Sequence, residues 1–421
     1  MRIPSNPPPP APVSERSPAR GAAEPAPRGR AALRPMVARD PAEEHRVSTP
    51  LECLFDLCFV VAVSQASTQW RHALAAGHLG TGLAGYTAVF FAIWWAWMHF
   101  TWFASVYDND DLLYRATTLV QITGSLILAA GIPLVFAHGD FTVLAVGWGI
   151  LRLGLIAHWL RAAREYPVGR SIALRYAGGL ALCWAGWMLL LVAGNRLWPE
   201  LAPVMVLAEL AVPLLARRAG ANPWHPRHIA ERFGLFTLIV LGESVLASTG
   251  ALQAALDGTR SGELDETAVG GLLTLFSMWW LYFARPAHRF LHSSRIGFAW
   301  GYGHLPVFSA AAAVGAGLAA NVDRTTGHSV LSAHQAGAVF TVPVALFVAA
   351  VWVLQLRPHH AAAGSPLFAL AAPVIAGLGF TPHPILGTGI AMTALTGLLV
   401  VTTGPAPGAV LIAEPDDDVS D

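Results

Sequence analysis

Leu83-Ala-Gly-Tyr-Thr-Ala-Val-Phe-Phe-Ala-Ile-Trp-Trp-Ala-Trp-Met-His-Phe-Thr-Trp-Phe-Ala-Ser105 contains no Asp, Glu, Lys or Arg. A helix rises ~1.5 Å per residue, so a run of this length crosses a hydrocarbon core of ~30 Å. Membrane strands are about 10 residues long and alternate polar with apolar side chains, which this stretch does not do. The stretch therefore predicts a transmembrane helix.

Similar segments lie on both sides of it, near 51–70, 115–137, 141–160, 176–194, 201–216, 233–255, 269–284, 304–320, 334–356, 366–380 and 384–402. With 83–105 they make twelve predicted spans, of which the last two are the weakest. Pro133, Pro213, Pro343 and Pro373 fall inside spans, where membrane bundles tolerate proline. The composition agrees: 54% of the 421 residues are hydrophobic and 12% charged. Soluble domains carry about 25% charged residues. The chain is too poor in charge to be a soluble enzyme, a disordered protein or a nucleic-acid binder. It predicts an all-α, polytopic transmembrane bundle. Equal numbers of basic and acidic residues, 26 each, give no pull towards polyanions.

Residues 1–46 hold eleven prolines and no apolar run, which predicts a disordered arm rather than a signal peptide. Residues 403–421 read as a short acidic tail, leaving 47–402 as the membrane domain. If the arm is cytoplasmic, the cytoplasmic joints contain thirteen arginines and the opposite joints four. The positive-inside rule then predicts a plasma-membrane protein with both termini in the cytoplasm. Cys53, Cys58 and Cys183 form no CxxC pair and read as small apolar residues.

Two stretches echo each other. Glu52-Cys-Leu-Phe-Asp56 opens one span and leads to Ser64-Gln65; Glu231-Arg-Phe-Gly-Leu-Phe opens another and leads to Glu243-Ser244. Trp94-Trp95 and Trp279-Trp280 follow at similar distances, and Trp94, Trp95 and Trp97 are expected to lie deep enough to line a cavity. The echo predicts two six-helix halves, 47–216 and 226–402, with a site between them.

A few residues stand out by their cost in lipid. Glu243 lies near the middle of the seventh span, where a charge costs roughly 3 kcal/mol on insertion scales, and Gly242 beside it is expected to let another backbone approach. Arg152 and Glu209 are also charged residues within spans. Thr49-Pro50-Leu51-Glu52 fits a capping box, which accounts for Glu52 but not for Asp56 one turn further in. His228, Glu231 and Arg232 form a polar group before the seventh span. Each has a plain alternative: a capped helix, an interfacial ion pair or a neutral packing residue. Asp110 or Asp111 is expected to cap the third helix rather than to bind metal.

With these residues in view, the chain resembles the bacterial low temperature requirement A family. The resemblance rests on Leu51–Gln65, Trp94–Trp102 with Asp108–Arg115, His228–Ser244 and Trp279–Phe283, and covers about residues 45–400. It departs at Cys53, where the family often has an aromatic, and at Ala284, where it often has an acid. The resemblance implies an integral membrane protein named for a cold-growth phenotype, and no particular reaction.

The first functional expectation is a secondary transporter or ion-permeation protein using Glu52, Asp56, Arg152, Glu209, His228, Glu231, Arg232 and Glu243 as proton, cation or substrate-cavity residues. The alternative is an intramembrane enzyme acting on a lipid or other hydrophobic substrate. P-loop, GxSxG and HExxH patterns are lacking, and no cofactor or metal is expected. The expected partners are the lipid bilayer and a small ion or molecule.

Overall fold

The computed structural model describes residues 33–39, 43, 47–107, 109–193, 198–220, 223–256, 262–358 and 366–403. Their regular structure is helical: α1 (Pro50–Ala75), α2 (Leu79–Val106), α3 (Leu112–His138), α4 (Thr142–Glu165), α5 (Arg170–Ala193), α6 (Trp198–Ala216), α7 (Pro226–Leu256), α8 (Gly262–Phe283), α9 (Ser294–Thr325), α10 (Ala333–Val351), α11 (Pro366–Gly377) and α12 (Pro384–Thr403). Among the described residues, ten helices are long and apolar enough to cross a membrane. α11, with 12 residues, is too short on its own, and one 3-10 turn carries it to Phe380. The architecture is an all-α polytopic bundle of ten to twelve long apolar helices.

Helices start where the sequence offers caps. Thr49 and Glu52 form the expected capping box on α1, with Pro50 in the first turn. Asp111 caps α3 by accepting from Tyr114 N at 2.8 Å. Ser293 caps α9. Two helices begin well before their apolar cores: α7 at Pro226 rather than 233, and α9 at Ser294 rather than 304. Their first turns are polar, yet neighbouring helices bury His228, Arg232, Trp300 and His304, so an apolar-run criterion misses them.

Small residues let backbones meet, as expected where lipid supplies no hydrophobic drive between helices. α3 and α4 touch so closely that a methyl group on Gly131 would sit 2.4 Å from Leu144 N, and one on Gly147 would sit 2.3 Å from Leu128 N. α1 packs on α2, α3 and α9, and more lightly on α7. α9 also packs on α7 and α10.

Aromatic side chains fill the centre. Trp94, Trp95 and Trp97 are fully enclosed, so they form packing and do not line an open cavity. Their sequence counterparts Trp279 and Trp280 face outward. Cys53 is also exposed and Cys58 partly so; of the three cysteines only Cys183 is buried.

The stretch read as an arm includes residues 33–39, which dock on the bundle. Met36 is buried, Arg34 N donates to Asp111 Oδ2 at 2.9 Å, and Arg39 N donates to Val106 O at 3.0 Å. This marks the bundle end that carries the start of α1, called the near end below. The far end carries the α1–α2 turn.

Candidate functional site

The charged residues picked out by depth fall into three places. The first lies at the near end between α1, α2 and α7. Arg232 donates to Asp56 through two nitrogens, Nε to Oδ2 at 3.0 Å and Nη2 to Oδ1 at 2.5 Å. Its Nη1 reaches Glu52 Oε1 at 3.1 Å. His228 Nε2 lies 3.0 Å from that same oxygen, one helical turn before Arg232 on α7. Trp97 of α2 donates its indole N–H to Asp56 Oδ1 at 2.6 Å, and the Phe100 ring lies 5.7 Å beneath the guanidinium. All four charged or titratable side chains are buried. Glu52 thus serves two ends: it accepts from Thr49 N at 2.8 Å in its capping box and also holds Arg232. Glu231 turns away from this group and accepts from Ser48 N at 3.1 Å.

The second place lies deeper, between α2, α4 and α6. Arg152 Nη2 donates to Glu209 Oε2 at 2.9 Å, so these two arginine and carboxylate side chains pair with each other. Trp95 donates to the same oxygen at 2.9 Å. Arg152 Nη1 meets His99 Nδ1 at 2.6 Å. A guanidinium can only donate, so His99 Nδ1 accepts and its hydrogen sits on Nε2. Trp148 stacks under Arg152 at 5.0 Å. Sequence reasoning misses His99 and Trp148. Histidine and tryptophan inside an apolar run read as packing, and only the fold shows that each faces an ion pair.

Glu243 is the third place. It sits near the centre of α7, half-buried, where α1, α7 and α9 meet. Ser64 of α1 lies close to its carboxylate. Among the described residues its carboxylate has no Arg or His within ion-pairing distance. Its neighbour Ser244 donates to Ala311 O of α9 at 3.3 Å. The close approach expected at Gly242 occurs instead at Gly315: a methyl group there would lie 2.9 Å from the Glu243 carbonyl carbon, whereas Gly242 faces open space. Glu243 and Arg232 are eleven residues apart on α7, about 16 Å along the helix. The structure therefore does not gather all the candidate residues around one cavity. A cavity of about 580 Å³ opens elsewhere, at the far end, beside Gln69, His72, His78 and Phe136.

The polar joint at residues 108–115 is structural where it is described. Asp110 pairs with Arg115 at 2.7 Å, and Asp111 with Arg161 at 2.5 Å; Asp108 lies outside the described residues. Burial raises the affinity of the Asp111 carboxyl for its proton. The Arg161 guanidinium and the Arg34 and Tyr114 amides more than offset this and hold its pKa at about 2.

Long apolar helices that bury charged residues in their interfaces define a polytopic membrane protein. A sequence model of the bacterial low temperature requirement A protein matches residues 47–410, and the chain belongs to that family. A relative is the uncharacterized protein RA0937 of Rhizobium meliloti (strain 1021), 25% identical over 291 residues that cover 63% of this chain and 67% of that protein. No solved structure matches.

Proposed function

We propose that the protein is a secondary transporter or ion-permeation protein in which Glu243 takes up a proton or cation. One contrast carries this reading. Asp56 and Glu52 share Arg232, and Glu209 has Arg152, while Glu243 lies at mid-helix beside Ser64 with no counter-cation among the described residues. An ionised carboxylate at that depth costs roughly 3 kcal/mol on insertion scales, and a bound proton or cation removes the cost. The paired charges have a different role. Each of those carboxylates already has a cation beside it, and the pairs hold α1 to α7 and α4 to α6.

The proposed orientation puts both termini in the cytoplasm, on the arginine asymmetry. A descent from two six-helix halves is supported by the order of packing. α1 rests on α2 and α3, and α3 on α4; α7 rests on α8 and α9, and α9 on α10.

The test is pH-coupled flux in proteoliposomes under an imposed potential, wild type against Glu243→Gln and Glu243→Asp. The expected outcome is a loss of at least about ten-fold in Glu243→Gln, the scale on which positioned proton-transfer groups act, with partial activity in Glu243→Asp. Unchanged flux in Glu243→Gln removes Glu243 from the mechanism.

A further inference from the structure

The two buried ion-pair groups differ in their charge count, and each contains a histidine. Between α2, α4 and α6, one guanidinium, Arg152, meets one carboxylate, Glu209. The histidine there, His99, accepts from Arg152 through Nδ1 at 2.6 Å. A ring nitrogen that accepts carries no proton, so His99 is neutral and the group sums to zero. Between α1, α2 and α7, one guanidinium, Arg232, meets two carboxylates, Glu52 and Asp56. With a neutral His228, this group would hold one unmatched negative charge. Each of these four residues is at most 1% exposed.

Neighbouring elements meet this group with neutral side chains. Trp97 of α2 gives Asp56 an indole N–H, and Tyr114 of α3 faces Arg232 as a phenol. His225, one turn before His228, accepts from His228 N through Nδ1 at 3.3 Å, while its Nε2 lies 2.7 Å from Glu43 O. That pattern fixes His225 as a neutral ring. Glu231 turns away to Ser48 N. The starts of α1 and α7 favour negative charge, but this effect fades within the first turn, and Asp56 lies in the second turn of α1. His228 stands where the missing cation belongs. Its Nε2 lies 3.0 Å from Glu52 Oε1, the oxygen that Arg232 Nη1 reaches at 3.1 Å. Enclosing an unmatched carboxylate is costly, and imidazole is the side chain that takes up a proton near neutral pH.

We propose that the near-end group is a proton-binding site, in which His228 holds, as an imidazolium, the proton that balances Glu52 and Asp56 against Arg232. The ion pairs still tie α1 to α7, and the bound proton completes their charge. The site is separate from Glu243, which lies about 16 Å beyond Arg232 along α7. It therefore goes beyond the reading of Glu243 and stands whether or not Glu243 carries an ion.

The experiment reads the protonation state of the ring itself. The full chain, with histidine labelled at its ring nitrogens, is placed in lipid nanodiscs at neutral pH and observed by NMR. His228→Gln identifies the His228 signal by its loss. The expected result is an imidazolium signal for His228 in the wild type and a neutral ring for His99. Asp56→Asn removes one negative charge and leaves the contact between His228 and Glu52 in place. It is expected to abolish the imidazolium signal and leave a neutral ring with its hydrogen on Nε2. Glu52→Gln is the second variant, with the same expected loss, and unchanged His99 and His304 signals show that the fold is intact. A neutral His228 ring in the wild type overturns the proposal. So does an imidazolium that persists in both variants, because the proton then does not answer to the charge count. Glu243→Gln is expected to keep the imidazolium signal, and its loss there overturns the separateness of the two sites. Flux in Glu243→Gln judges the ion-carrying role of Glu243 independently.

Discussion

Arg232 is bound by Asp56 and Glu52, with His228 and Trp97 completing the shell. Every member of this group is buried. Removing the cation leaves two carboxylates enclosed and unmatched. Arg232→Met is therefore expected to lower stability by about 3–5 kcal/mol, the cost of breaking a buried pair from one side. The triple variant Glu52→Gln, Asp56→Asn, Arg232→Met should recover most of that loss, because neutral groups carry no such penalty. Thermal unfolding in detergent measures both; equal melting temperatures for the single and triple variants contradict the account. The sequence marked Glu52, Asp56, His228 and Arg232 because charge is costly in lipid. It did not mark His99, since an imidazole among apolar residues carries no such cost and needs a contact to show its role.

Among the helices, α9 decides how α1 and α7 meet Glu243. Its stretch Ala310–Ala313, Gly315 and Gly317 presents little beyond backbone, so two helices approach it at once. A methyl group at Gly315 would overlap the Glu243 backbone, whereas one at Gly242 meets nothing within 4 Å. Gly315→Ala is expected to cost about 1–3 kcal/mol, as overpacking does, and Gly242→Ala to be neutral or slightly stabilising. Melting of the two variants under identical conditions is the check, and the reverse order would contradict the assigned contact. The sequence put the small residue that matters next to Glu243 on α7; the fold puts it on α9. Glycine spacing within a span shows that some backbone can come close, but not which one.

Across the whole molecule, residues 33–39 tie the amino-terminal side of the chain to the near ends of α2, α3 and α4. Asp111 is the central acceptor. It receives Arg34 N and Tyr114 N as well as the Arg161 guanidinium, whose Nη2 also donates to Arg34 O at 2.7 Å. Met36 N donates to Glu165 Oε2 at 2.6 Å. The Asp111 pKa falls from its ordinary 3.8 to about 2 in the fold. A depressed carboxylate contributes stability that is complete above the unfolded value and is lost as pH falls through the folded one. Docking of residues 33–39 should thus hold above about pH 4 and weaken between pH 4 and 2. In Asp111→Asn that pH dependence should disappear, with the segment already cleaved faster by protease at neutral pH. Limited proteolysis across the pH range shows either result, and an unchanged acid profile in the variant would assign the transition to another group. The amino-acid sequence by itself determined the membrane setting, the helical class, the cap at Thr49, a cap at Asp110 or Asp111, and the costly charges, because hydropathy and local hydrogen bonding act over a few residues. Only the tertiary structure decided that Arg152 takes Glu209, that Arg232 takes Asp56 and Glu52, and that Glu243 faces a serine. Those pairings join residues 57, 176, 180 and 179 positions apart, and nothing in a local pattern encodes which helices become neighbours.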